Sequence, residues 1–179
     1  LRDAGFATAG VTANVHLVPR MGFAEGYDLW RYDNGADADV QLERAQAWLH
    51  EHQDEDSYLF LHLMDPHTFY RAPGRYKDRY VETDPGPLNP DLNRWKVVRL
   101  GESGQLSTDN QAWLRARYDG EVRYMADQLA GFLAWADSLP GRTLVVIHSD
   151  HGEEFWEHGS YEHNHTLYQE LVHDVLWIR

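Results

Sequence analysis

The residues best suited to chemistry lie in one segment, SDHGEEFWEHGSYEHNHTLYQE, which runs from Ser149 to Glu170 and holds four histidines, one aspartate and five glutamates. Asp150 and His151 are adjacent, and Gly152 after them permits a tight turn and close backbone approach. A carboxylate beside an imidazole suits a divalent cation, so this pair is a candidate metal site. The alternative is a simple Asp-His-Gly turn in which Asp150 caps a helix.

A second candidate is the segment MDPHTFY, in which Pro66 ends an apolar run and His67 follows it. A histidine at this point could hydrogen-bond a bound anion or act as an acid. The alternative is a loop histidine with ordinary hydrogen bonds. His62, inside the apolar run, is assigned to packing.

Spacing alone does not decide the roles of the other polar residues near Asp150. Spacing alone does not allow all three histidines to be assigned as metal ligands; they are His158, His163 and His165. The nearby glutamates are expected to form a solvated acidic rim or to pair with arginines; they are Glu153, Glu154 and Glu157.

Strands and helices alternate along the chain. Apolar runs and helical spacing predict strands at 6–14, 57–65, 143–149 and 175–178, and helices at about 37–53, 108–139 and 166–171. This order indicates an α/β fold with a mainly parallel sheet flanked by helices, and residues 66–107 are interpreted as one long loop. Ligands bind beyond the carboxyl ends of parallel strands, so the polar clusters beginning at Asn14, Asp65 and Asp150 are expected to converge.

Composition limits the possible partners. The net charge of −13 argues against nucleic acid and against long-range steering of an anion, so an anion site would need a cation of its own. The 179 residues contain no cysteine, which excludes a disulfide framework, a thiolate zinc site and a cysteine nucleophile within them. No apolar run approaches the roughly 20 residues of a membrane span. The sequence indicates neither a compartment nor an oligomeric state.

Five motifs, in order, resemble the sulfatase family of the alkaline-phosphatase superfamily. They are LRDAGFATAGVTAN with MGFAEGYDLW, FLHLMDPHTFY, YDGEVRYMADQLAGFLAWADSL, TLVVIHSDHGEEFWEHG and HTLYQELVHDVLWI. The resemblance implies an alkaline-phosphatase/sulfatase-like fold, incomplete at both ends. Residues 1–179 would then be part of a catalytic domain, without its N-terminal nucleophile region and its C-terminal part.

The resemblance also assigns roles to four residues. Asp150 and His151 match the family's later pair of ligands for one divalent cation, usually Ca²⁺. His67 matches a histidine that contacts the sulfate ester near its leaving oxygen. His163 takes the place of a lysine, or of the histidine in a GHG triplet. Both histidines would bind sulfate and help to protonate the departing alkoxide.

The implied function is metal-dependent hydrolysis of a small-molecule or glycan sulfate ester. Two early aspartate ligands and a formylglycine nucleophile are expected outside this chain, which alone should be inactive. The alternatives are a phosphoryl or phosphonate ester hydrolase or a phosphoethanolamine-type transferase of the same superfamily, and a non-catalytic anion-binding remnant. Three departures from the family pattern bear on substrate class: Phe69 for a proline, Glu162-His163-Asn164 for GHG, and Asp174-Val175 for VP.

Overall fold

The computed structural model describes residues 1–88 and 93–179. These residues divide into two compact units. The first unit comprises Leu1–Pro66 and Tyr124–Thr143, and the second comprises His67–Arg123 and Leu144–Arg179. No helix in the described ranges combines the length and apolar character needed to cross a bilayer.

The first unit contains a parallel sheet of three strands in the order β2-β1-β3. The strands are β1 (Ala7–Thr12), β2 (Leu29–Tyr32) and β3 (Ser57–His62), and the helix α1 (Ala38–Glu51) packs on β1 and β3. The predicted α/β fold, with a parallel sheet flanked by helices, is confirmed. The strand β2 was not among the predicted strands.

A glycine in the central strand allows aromatic packing across this sheet. Gly10 pairs with Trp30 on one side and Phe60 on the other. The two rings stack with centroids 5.8 Å apart, and a Cβ on Gly10 would lie 2.2 Å from the indole of Trp30. Side chains of neighbouring strands therefore meet above the backbone of Gly10.

The described residues of the second unit form two antiparallel strand pairs, three α-helical segments and two short 3₁₀ helices, Gly74–Tyr76 and Gly86–Leu88. The pairs are β4 (Val146–His148) with β7 (Leu176–Ile178), and β5 (Glu154–Phe155) with β6 (Tyr161–Glu162). The α-helices are α2 (Arg94–Glu102), α4 (Gln169–Val172) and the first part of α3 (Thr108–Ala136), whose last part belongs to the first unit. The buried core is formed by Tyr70, Leu88, Val97, Leu106, Trp113, Leu114 and Tyr161.

Two predictions about this unit were wrong. The run 143–149 was expected to be a buried strand, but β4 has three residues, and Val146 is 51% exposed. A ribbon of only two strands leaves much of both faces uncovered. The supposed loop 66–107 contains α2, whose N-cap Asn93 accepts a hydrogen bond from the Lys96 amide. Residues 89–92 of that loop lie outside the described residues.

Candidate active site

Three of the four predicted site residues meet through their imidazole rings in the second unit. The ring centroids of His151 and His163 are 4.0 Å apart, and those of His67 and His163 are 5.3 Å apart in an edge-to-face arrangement. His151 follows β4, His163 follows β6, and His67 lies in the segment before α2. Residues far apart in sequence are thus brought to one place.

Asp150 lies beside His151, with its Oδ1 3.8 Å from Nε2 of the imidazole. Nδ1 of His151 is 2.7 Å from the Gly152 carbonyl, which can only accept, so Nδ1 carries the proton. In the neutral ring, Nε2 then offers a lone pair next to the exposed Asp150 carboxylate. One oxygen and one nitrogen donor at this spacing fit a shared divalent cation.

The turn after this pair requires a glycine for a steric reason. A Cβ on Gly152 would lie 2.0 Å from the carbonyl oxygen of Glu170. The Gly152 amide also donates to the Leu171 carbonyl at 2.9 Å. The close backbone approach predicted for this glycine is therefore present. It holds the Asp150–His151 turn against the backbone of α4 at Glu170 and Leu171.

His163 is buried and bonded to an acid. Its Nδ1 lies 2.8 Å from Oε1 of Glu153. This hydrogen bond raises the pKa of His163 above its ordinary value, although burial of the ring acts in the opposite direction. The second carboxylate oxygen of Glu153 accepts from the hydroxyl of Tyr70 at 3.0 Å. Burial raises the pKa of Tyr70 far above its ordinary value, so its hydroxyl stays a donor.

The backbone on both sides of His163 is left-handed. Glu162 has φ of 74° and Asn164 has φ of 72°. These are the two positions at which the GHG triplet has glycines, and glycine adopts positive φ without steric cost. In this chain a left-handed backbone at these positions is built with larger residues.

The side chain of Glu162 connects the site to α2. It is 2% exposed, forms an ion pair with Arg94, and accepts a hydrogen bond of 2.6 Å from Thr68, the neighbour of His67. Arg94 and Thr68 were not predicted as functional residues. Arg94 was missed because its helix was interpreted as part of a loop.

The expected acidic rim is wrong for two of its three glutamates. The side chain of Glu153 is only 6% exposed and lies against His163, and Glu154 is fully buried. Burial disfavours the charged form of Glu154, yet hydrogen bonds from His165 and from the Ser160 and His158 amides hold its pKa below the ordinary value. Glu157 pairs with Arg115, as expected for a glutamate of this segment.

A further group of possible ligands lies nearby in sequence. The ligand atoms of Glu154, His158 and Glu170 lie within 4.8 Å of one another. His158 is bonded to Glu170 and stacks on Tyr168 at a centroid distance of 3.6 Å. Asn14 and Asp65 belong to the first unit, so their expected convergence with Asp150 remains a prediction.

The fold of this chain is similar to those of several solved structures. BT1596, described as a 2-O GAG sulfatase, has a TM-score of 0.69 and 19% identity over 99% of this chain and 44% of that chain. BT4656, solved in complex with its substrate D-glucosamine-2-N,6-O-disulfate, has a TM-score of 0.67 and 16% identity over 99% and 53%. The C-terminal periplasmic domain of EcEptC from Escherichia coli has a TM-score of 0.60 and 16% identity over 91% and 44%. At these identities the likeness concerns the fold, and the chain spans about half the length of each structure.

The family of the chain is assigned from its amino-acid sequence. No curated protein matches the chain. The pattern that defines the sulfatase family matches residues 4–178, which is nearly the whole chain. The chain therefore belongs to the sulfatase family.

Proposed function

We propose that this chain supplies part of the active site of a metal-dependent hydrolase of sulfate esters. The observation that carries the proposal is the meeting of His67, His151 and His163 beside the exposed carboxylate of Asp150. Asp150 and His151 would hold one divalent cation, which the family resemblance suggests to be Ca²⁺. When bound, such a cation stabilises negative charge on the sulfuryl oxygens.

The hydrogen bonds of the three rings support this division of roles. In each ring Nδ1 is already used: by the Thr68 carbonyl in His67, the Gly152 carbonyl in His151 and the Glu153 carboxylate in His163. Nε2 is therefore the nitrogen left for cation or substrate. The Nε2 of His151 lies toward Asp150, which leaves His67 and His163 to meet the anion.

The reaction proposed for the anion is acid-assisted ester cleavage. The sulfur–oxygen bond to the alcohol breaks as a new bond forms from the nucleophile to sulfur. The leaving oxygen takes a proton from Nε2 of His67 or His163. The nucleophile, a formylglycine by the family resemblance, is expected outside this chain, so we expect residues 1–179 alone to give no turnover.

A phosphoryl or phosphonate ester hydrolase, or a phosphoethanolamine-type transferase, is the second candidate. The Nε2 atoms of His67 and His163, which bond none of the described residues, favour it, because imidazole nitrogens are common ligands of transition metals. In that case these two histidines would bind a second cation rather than the anion directly. A protein that binds sulfated ligands without turnover would match the non-catalytic alternative.

The proposal is tested on the whole gene product with matched alkyl sulfate and alkyl phosphate esters and with metal analysis. Sulfate turnover with one bound Ca²⁺ is expected. Asp150→Ala should lose metal and activity together, whereas His163→Ala should keep the metal and lose activity. Full metal content in Asp150→Ala would refute the ligand assignment. Preference for phosphate with two bound transition metals would support the second candidate.

A further inference from the structure

We propose that Glu153 is the positioning residue of His163: it holds the imidazole through Nδ1, so that Nε2 is the nitrogen presented to the substrate anion. This inference deepens the proposed function, and the kinetic part of its test rests on that function. It also makes a separate claim about the ring of His163 that can be measured without any turnover.

The contact between the two side chains is buried and directional. Nδ1 of His163 lies 2.8 Å from Oε1 of Glu153, and the side chains are 8% and 6% exposed. A carboxylate can only accept, so the proton of this hydrogen bond is on Nδ1. Because water has little access to the pair, the bond restrains the rotation of the ring as well as its tautomer.

The carboxylate of Glu153 is itself held in place. Its Oε2 accepts from the hydroxyl of Tyr70, a fully buried residue. The Tyr70 carbonyl accepts two hydrogen bonds from Arg117, of 2.7 and 3.2 Å. Arg117 in turn pairs with Asp78 at 3.0 Å. Both oxygens of Glu153 are thus engaged, and rotation away from His163 would break the bond with Tyr70.

The surroundings of His163 fix the direction of its free nitrogen. The left-handed residues Glu162 and Asn164 hold the backbone on either side. The rings of His151 and His67 pack against the imidazole. Glu153 therefore completes a site in which one nitrogen of His163 is committed to the protein and Nε2 is available. This is the arrangement by which a carboxylate orients a catalytic histidine in general acid–base sites.

The first test measures the ring of His163 in the metal-free protein by NMR with ¹⁵N-labelled histidine. His163→Gln identifies the resonances. We expect a protonated, hydrogen-bonded Nδ1 in the unmodified protein and loss of that signal in Glu153→Ala, which removes the acceptor. Glu157→Ala is the matched control, because Glu157 lies in the same segment but pairs with Arg115. Retention of the Nδ1 proton signal in Glu153→Ala would overturn the proposal.

The second test compares two sulfate esters on the whole gene product. An alkyl sulfate needs protonation of its leaving oxygen far more than an aryl sulfate with an acidic phenol. Glu153→Ala should lower kcat for the alkyl ester by on the order of 10- to 100-fold, with a much smaller loss for the aryl ester and little change in KM. Equal losses with both esters would show a merely structural role and overturn the proposal.

One further variant and one result for the unmodified protein keep the tests decisive. Tyr70→Phe removes the hydrogen bond to Oε2 of Glu153 without changing His163. It should therefore lower kcat for the alkyl ester, by a smaller factor than the Glu153 variant does. This variant replaces Glu153→Ala if the latter does not fold, and an unchanged kcat in folded Tyr70→Phe would then count against the proposal. If the unmodified protein hydrolyses no sulfate ester, the proposed function fails, and the NMR measurement alone decides the role of Glu153.

Discussion

Glu162 and Asn164 reach the same left-handed backbone at different cost. Asn tolerates positive φ, whereas for glutamate it costs about 1–2 kcal/mol relative to glycine. Glu162 is compensated by its bonds to Arg94 and Thr68, while Asn164 is exposed. The two positions therefore offer a matched test of what holds the turn around His163.

We predict that substitution by glycine changes the free energy of unfolding by different amounts at these two positions. Asn164→Gly should change the free energy of unfolding by less than about 1 kcal/mol, because strain relief and chain entropy nearly cancel. Glu162→Gly should destabilise by about 1–3 kcal/mol, because it leaves Arg94 and Thr68 without their buried partner. Urea denaturation of both variants measures the difference. Equal effects would mean that the bonds of Glu162 contribute nothing to stability.

Residue types in the sequence indicated some residues of the candidate site but gave no sign of others. Asp150, His151, His67 and His163 stand out because their chemistry is recognisable in short motifs, although their functional roles remain predictions. The burial of Glu153 and Glu154 could not be anticipated, because carboxylates are ordinarily exposed unless a partner neutralises them. Those partners, His163 and His165, lie about ten residues away on the other side of a turn.

At the scale of elements, α3 carries two glycines in different surroundings. A Cβ on Gly120 would lie 2.5 Å from the carbonyl oxygen of Tyr76, whereas a Cβ on Gly131 would meet no atom of the described residues within 4 Å. Gly120 thus allows the segment that follows His67 and Tyr70 to approach the helix. Its backbone position matters to the site, because Tyr70 supports Glu153.

We predict that alanine separates these two roles of glycine. Gly131→Ala should stabilise the protein by about 0.5–1 kcal/mol, because glycine is the poorer helix former. Gly120→Ala should destabilise it by about 1–3 kcal/mol, because the Tyr76 carbonyl must shift. Thermal unfolding of the two variants provides the measurement. A stabilised Gly120→Ala would show that the approach of the Tyr76 backbone is not tight in solution.

Elements with long periodic patterns were predictable, and short ones were not. The expected helices at 37–53 and 108–139 agree with α1 and α3 to within three residues at each end. The strands β5 and β6 have two residues each, too few for any period to appear. The apolar run before Asp150 was misjudged because a run of this length does not distinguish a central strand from one strand of a ribbon.

At the scale of the whole molecule, the net negative charge coexists with buried carboxylates. The chain carries a net charge of −13, yet two of its glutamates, Glu154 and Glu162, are almost fully buried at the candidate site. Ionised carboxylates are retained inside a protein only where donors compensate them. The stability that Glu154 contributes should therefore depend on keeping its carboxylate ionised, and it should change with pH.

Glu154 gives the clearest case, because its pKa in the folded protein lies below the ordinary value of 4.5. With a lowered folded-state pKa, the unfolded chain takes up the proton first as the solution is acidified. The stability that Glu154 contributes is thus fully present above about pH 4.5 and is lost as the pH falls through the folded-state pKa. At neutral pH the contribution is insensitive to small changes.

We predict that Glu154→Gln removes this pH dependence, because glutamine has no proton to gain. The difference in free energy of unfolding between the unmodified protein and Glu154→Gln should be constant from neutral pH down to about pH 5 and should shrink at lower pH. Urea denaturation at a series of pH values measures it, and Glu51→Gln, at an exposed position on α1, controls for the change in net charge. A difference that grew on acidification would mean that burial outweighs the hydrogen bonds from His165, Ser160 and His158, and that Glu154 is charged in the fold at a net cost.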